Sequence, residues 1–193
     1  VGYKEGDLPF SNSEHETTNV KSSKAREESM KQGTVSWFFG CHNVGHSLLV
    51  LKSWRVLFGA WPKFWQVACI FLHDIGHIGL QYLDDFEQKR QHWELGACLA
   101  RCMFGKKGYD FLAGHCSHSG HPLSDLYKAD KYSWYIAPTW WLWLNNIVEP
   151  KLTINCNGNM DAIRKFRAMV KESIESGEYT STHEMYLKRV NGL

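Results

Sequence analysis

The chain contains no Cys-x-x-Cys pair, which removes the commonest framework for a structural zinc site. It also lacks an uninterrupted apolar run of the roughly 20 residues needed to span a bilayer. Its longest aromatic-aliphatic stretch, Trp134 to Val148, is broken by Pro138, Thr139, Asn145 and Asn146 and reads as a buried helix or the wall of a pocket, so no membrane partner is expected. Charge of one sign is missing too: 22 Lys and Arg stand against 20 Asp and Glu, a net of +2. That balance argues against a domain that coats nucleic acid, and no stable nucleic-acid binding is expected. There is no series of alternating strands, no internal repeat and no low-complexity tract, and the expected fold class is therefore all-α. Val1 opens the sequence with neither a Met nor a signal-peptide pattern, so that end carries no targeting information.

What is present is enough for a core. Of 193 residues, 44% are apolar, with nine Trp, eight Tyr and ten Phe. This length suits one compact domain around a single core. Six cysteines, at 41, 69, 98, 102, 116 and 156, mostly adjoin apolar residues, as in Val67-Ala-Cys-Ile-Phe-Leu72. Buried free thiols in a reducing compartment account for this pattern, and a cytoplasmic location is expected.

Residues 1–34 are polar and rich in Gly, Ser, Asn and Thr, which predicts an arm ahead of a helical domain over 35–193. Leu48, Leu49, Leu51 and Val56 fit one helix ending near Gly59, before Trp61-Pro62. A helix over Lys63 to Ile75, apolar on nearly all sides at Val67 to Leu72, is expected to be the most buried element, broken at Gly76 and Gly79. His92 to Phe104 predicts the next helix, followed by a turn over Gly105 to Gly108 and a helix over about Tyr109 to Ser117. Leu123 to Tyr135, Thr139 to Ile147, Asp161 to Glu175 and Ser181 to Val190 complete the set.

Eight of the ten histidines fall between positions 42 and 121. His73 and Asp74 end the most apolar stretch of the chain, where an ionised carboxylate is costly to bury without a cation or hydrogen bonds. An isolated His-Asp pair often does no more than cap a turn, so its neighbours decide. His46 lies 27 residues earlier, a separation that two antiparallel helices with a short turn would close. Asp130 adds a second carboxylate on a mixed apolar helix face. Two imidazoles and two carboxylates suit Mn, Fe, Co, Ni, Zn or Mg, with positions left open for water and substrate.

In this order the residues resemble the HD-domain superfamily of metal-dependent phosphohydrolases. Gly45-His-Ser-Leu-Leu-Val50 is similar to its first ligand motif, Phe71-Leu-His-Asp-Ile-Gly76 to its eponymous doublet, and Ala129-Asp-Lys-Tyr-Ser133 to its final Asp motif. The resemblance spans residues 45–133 and implies an all-helical bundle with His46, His73, Asp74 and Asp130 as metal ligands. His92 in His92-Trp-Glu-Leu-Gly-Ala97 and His115 in Ala113-Gly-His-Cys-Ser-His118 further resemble the dinuclear subset, which implies one or two divalent metal ions with Asp74 as the shared carboxylate. The activity so implied is hydrolysis of a small phosphate ester or anhydride, most plausibly of a nucleotide, by metal-activated water.

His77 and His118 each stand a few residues from a ligand and are candidates to protonate the leaving oxygen, or to orient a carboxylate. His42 shares the face of His46 if their helix starts early and is its rival as first ligand. Lys131 is the first candidate for a phosphate-holding cation, ahead of Lys52 and Lys128. Trp140, Trp141 and Trp143 are expected either to stack against a flat group or to fill core. His121 is expected at the mouth of the site or in water, and His15 and His183 carry no role. Two other functions share the same ligands: a mixed-valence diiron oxygenase cleaving a C-C or C-P bond, and a metal-binding sensor or scaffold without turnover. No Gly-Tyr-Pro follows His118, which sets aside the cyclic-dinucleotide phosphodiesterases that carry that signature.

Overall fold

Asn43 starts the helix on which the first candidate ligand rides. Its side-chain oxygen accepts the backbone N–H groups of Gly45 at 2.8 Å and His46 at 3.3 Å, satisfying two amides that the first helical turn leaves without partners. At the other end Gly59 turns the chain out with φ of 69°, a left-handed conformation that glycine adopts without a Cβ clash. The computed structural model describes residues 31–81, 87, 90–148 and 160–177, all within the compact unit Lys31–Leu193. Among them are eight α-helices and no strand, so the fold is all-α. They are α1 (Gln32–Phe39), α2 (Val44–Phe58), α3 (Phe64–Leu72), α4 (His92–Phe104), α5 (Lys106–Ala113), α6 (Asp125–Ile136), α7 (Thr139–Val148) and α8 (Met160–Glu175), with a 3-10 turn at Ile75–His77. The helix expected over 181–190, Cys156 and most of the expected arm lie outside the described residues; α1 begins at Gln32, inside that arm's expected span.

Among the described residues, two apolar clusters make the core. Val50 and Trp54 of α2, Cys69 and Ile70 of α3, Ala97 and Ala100 of α4, Phe111 and Leu112 of α5, and Leu126 and Ala129 of α6 form one. Trp134, Trp141, Leu142, Ile163, Phe166 and Val170, from α6, α7 and α8, form the other. Helix α6 serves both, and Asp130 and Ser133 sit on it between the residues given to each. Burying such side chains removes apolar surface from water at about 25 cal/mol per Å2, the main drive for closing the bundle.

Several local expectations are corrected. Helix α3 stops at Leu72, and only Cys69 and Ile70 on it are buried, while Phe64 is 85% exposed. In this bundle α3 turns one stripe to its neighbours, and its other apolar side chains stay at least partly exposed. The turn expected at Gly105 to Gly108 is a single residue: Gly105 takes φ of 69° and α5 begins at once at Lys106, whose ammonium pairs with Asp110 one turn on. Gly108, inside α5, packs so closely against the Ala100 carbonyl that a Cβ on it would stand 2.6 Å away. Cys41, Cys69 and Cys116 are buried thiols, but Cys98 and Cys102 face solvent on α4. No helix of the described residues is long and apolar enough to cross a membrane.

Candidate metal centre

Four imidazoles and two carboxylates from five segments meet in the interior. His46 comes from the first turn of α2, His73 and Asp74 from the end of α3, His92 from the first position of α4, His115 from the residues after α5, and Asp130 from the middle of α6. Nε2 of His46 lies 2.9 Å from Oδ1 of Asp130 and 3.3 Å from Nε2 of His73. Nε2 of His73 lies 3.1 Å from Oδ2 of Asp74. On the other side of that carboxylate, Oδ1 faces Nε2 of His92 at 3.9 Å, and His92 meets Nε2 of His115 at 3.0 Å. The six residues thus form two donor groups, His46/His73/Asp130 and Asp74/His92/His115, each with its ligand atoms within 4.8 Å of one another.

Backbone carbonyls set the direction of the rings. Nδ1 of His73 donates to the Ile70 carbonyl at 2.6 Å, and Nδ1 of His115 donates to the Leu112 carbonyl at 2.5 Å. A carbonyl only accepts, so a hydrogen sits on Nδ1 and Nε2 is the nitrogen turned into the cluster. This is the arrangement that metal-ligating histidines use, with the second nitrogen anchored outside the coordination sphere. Ser133 supports His46 more loosely, with Oγ 3.5 Å from Nδ1, while donating to the Asp130 carbonyl at 2.6 Å.

The electrostatics pair buried carboxylates with the imidazoles around them. Asp74 is 6% exposed; although Nε2 of His73 and of His46 stand 3.1 and 3.4 Å from its Oδ2, that oxygen accepts no well-directed hydrogen bond. Burial pushes the Asp74 carboxyl up, but the surrounding imidazoles of His73, His42 and His46 outweigh it and hold the group well below the ordinary carboxylate range. Asp130 is likewise held low against its burial, first by Lys131 and then by His46. Burial opposes a charge on His73 as well, yet the carboxylates of Asp74 and Asp130 raise it to about 9. His115 goes the other way: burial, reinforced by His92 and His73, lowers it to about 3. Two ionised carboxylates are thus buried beside inward Nε2 atoms, an all-nitrogen-and-oxygen donor set that could hold a borderline divalent ion.

Close backbone approach holds the parts in register. Gly76 lies so near the start of α4 that a Cβ on it would stand 1.7 Å from the His92 carbonyl oxygen, and Gly33 of α1 packs the same way on the His77 carbonyl at 2.1 Å. His77 itself is buried, with Nε2 3.8 Å from Oδ1 of Asp74 and its ring stacked on that of His92 at 4.6 Å.

The other candidates divide. Lys131 stands with Nζ 3.7 Å from Oδ2 of Asp130 and 5.4 Å over the Tyr127 ring, whereas Lys52 and Lys128 are exposed. His118 is half-buried on the turn after α5 and belongs to none of the groups of converging donors. His42 is not on the helix of His46, because α2 begins at Val44; it lies instead against His77. His121 packs edge-on between Trp93 and Tyr109. The tryptophan cluster is split: Trp141 is buried, while Trp140 and Trp143 are 66% and 40% exposed. The ring packed against His46 is Trp134, at 5.3 Å, the first residue of the stretch read as a buried helix or pocket wall and one helical turn after Asp130. Ser36 and Ser133, which hold His42 and His46, were not foreseen; Ser133 lies in the quoted Asp130 motif, but nothing marked Ser36. His15 and His183 lie outside the described residues.

The chain matches no protein-family model, no curated protein and no solved structure.

Proposed function

We propose that this chain is a dinuclear metal-dependent hydrolase of the HD-domain type that cleaves a phosphate ester or anhydride in a small molecule such as a nucleotide. The observation that carries this reading is the division of one carboxylate between two histidine pairs: Oδ2 of Asp74 faces His46 and His73, and Oδ1 faces the His92/His115 side. Divalent ions bound there would polarise phosphate oxygens and supply a water of lowered pKa.

The protein's own part is orientation and charge. The Ile70 and Leu112 carbonyls fix the His73 and His115 rings, so both nitrogens are in place before anything binds. Lys131, beside Asp130, offers an ammonium to the anionic substrate. His77, clamped by ring stacking with Nε2 toward Asp74, is placed to give a proton to the departing oxygen.

The test is phosphate release from a panel of nucleotides and phosphomonoesters, with Mn2+ or Co2+, under anaerobic conditions, alongside elemental analysis of protein purified without added metal. Turnover without oxygen and two ions per chain support the proposal. Oxygen consumption with a mixed-valence iron signal and no anaerobic phosphate release would replace it by the oxygenase, and bound metal with no product from any substrate would replace it by the sensor.

A further inference from the structure

Three helices run from the candidate centre to an end of the bundle that holds none of its ligands. Helix α2 carries His46 on its first turn and closes at Phe58, α3 opens at Phe64 and delivers His73, and α5 opens at Lys106 and delivers His115. From His46 to Phe58, at about 1.5 Å per residue, α2 spans roughly 18 Å. At that far end the connection between α2 and α3 is aromatic: Phe58, Trp61 and Phe64 are 38%, 60% and 85% exposed. The connection projects, since Gly59 turns it with φ of 69° and a Cβ there would meet nothing within 4 Å. It is also held in shape, because the Lys63 N–H donates to Oε1 of Gln66 at 2.8 Å and so satisfies an amide at the start of α3. Exposed apolar residues scattered singly are ordinary, but three large rings on one short turn mark a contact surface.

Cations accompany the rings. The Arg55 guanidinium stands 4.8 Å over the Trp61 ring, and the Lys107 ammonium stands 5.3 Å over that of Trp65, next to Phe64. Lys63 is exposed between Trp61 and Phe64. No Asp or Glu occurs at positions 29–73, although the chain holds 20 of them. Positive charge is therefore gathered at the aromatic turn of a chain whose net is only +2.

We propose that this end of the bundle is a peripheral docking surface for an anionic lipid bilayer, with Trp61 and Phe64 entering the headgroup layer and Arg55, Lys63 and Lys107 meeting its negative charge. Aromatic rings settle at the level of lipid headgroups, and an anionic leaflet attracts Lys and Arg beside them. A projecting turn can enter that layer, whereas a nucleic-acid strand is tracked along a groove, and an apolar protein face would leave the cations unmatched. The expectation of no membrane partner rests on the lack of a span, which a protein lying on the surface does not need. Docked in this way, the metal ligands stay about one helix length from the lipid, so the surface locates the protein and takes no part in its chemistry.

Co-sedimentation of the full chain with phosphatidylcholine vesicles, with and without about 30% phosphatidylserine, tests this. Binding is expected to the anionic vesicles alone, falling at least about tenfold between about 0.1 and about 0.5 M salt as charge is screened. Trp61→Ala/Phe64→Ala and Lys63→Glu/Lys107→Glu should each lower the partition coefficient at least about tenfold with helical circular dichroism unchanged, because all four side chains are exposed. No binding to anionic vesicles, equal binding to neutral ones, or unchanged binding in the aromatic variant overturns the proposal. Without vesicle binding, capture of a single-stranded oligonucleotide or self-association that the aromatic variant loses would assign this end to that partner instead. Should a double variant lose its helicity, anionic vesicles carrying brominated chains decide: quenching of tryptophan emission in wild type but not in Trp61→Phe supports insertion, and equal quenching in both, or none, rejects it. None of these side chains belongs to the metal centre, so failure here leaves the hydrolase proposal to its own test.

Discussion

Metal uptake by this site is expected to expel close to one proton even at pH 8, where ordinary histidines have none to give. His73 is raised to about 9 in the metal-free protein, so a ligand that must be neutral to coordinate carries a proton that the metal has to displace. At pH 8 a group titrating at about 9 is ~90% protonated, against ~3% for a histidine at its usual ~6.5. His115, lowered to about 3, is already neutral, and Asp74 and Asp130 are already ionised, so none of these three adds to the count. The expected release is therefore about 0.9 proton at pH 8, falling to about 0.1 at pH 10 as His73 loses its proton unaided. Calorimetric titration of metal-free protein with Mn2+ in two buffers of different ionisation enthalpy reads this number directly. Release below about 0.3 at pH 8, or release that persists unchanged at pH 10, would refute the assignment of the raised imidazole and with it the electrostatic account of the pocket.

The site was legible in the sequence to the extent that burial cost marks a residue. A carboxylate at the end of Val67-Ala-Cys-Ile-Phe-Leu72 has to be compensated, and Asp74 is found buried among imidazoles as that reasoning requires. Helix boundaries were legible where a glycine or cap sets them, as for α4, observed at His92–Phe104 as expected. What escaped depends on which face a short helix turns inward. Periodicity could not foresee that α3 buries only Cys69 and Ile70, or that Trp134 and not the Trp140/Trp143 pair packs against His46. His42 escaped for a different reason: it looked like a rival to His46 four residues on, but the Asn43 cap starts the helix after it and sends its ring toward His77. That placement comes from tertiary packing of α1, carried by Ser36 and Gly33, which leaves no local pattern.

Asp74→Ala should abolish bound metal and turnover together, measured by elemental analysis and phosphate release, because it deletes the carboxylate common to every donor pair that faces it. His92→Ala should reduce the dinuclear pair to one ion; unchanged stoichiometry and turnover would show that the second metal does not exist. Metal-free protein should be most stable near pH 6.5 in thermal melts. His73, raised when folded, contributes stability that is full below ~6.5 and lost as pH climbs through about 9, whereas His115, lowered when folded, contributes stability that is full above ~6.5 and lost as pH falls toward about 3. A melting temperature that rises steadily from pH 6.5 to 9 would contradict this. Gly76→Ala should damage the site without touching a ligand. The added Cβ would stand 1.7 Å from the His92 carbonyl, inside any real contact distance, and that oxygen belongs to a helix start that cannot swing away like a side-chain tip. Either the turn carrying His73 and Asp74 or the start of α4 carrying His92 must move, so overpacking of about 3 kcal/mol, a drop in melting temperature of roughly 6–12 °C, is expected. The two donor groups meet across that contact, so the loss of metal affinity should exceed what the loss of stability alone explains. Equal Mn2+ affinity in Gly76→Ala and wild type, measured well below both melting points, would mean that the turn and the helix start are not the gauge that sets the distance between the paired ions.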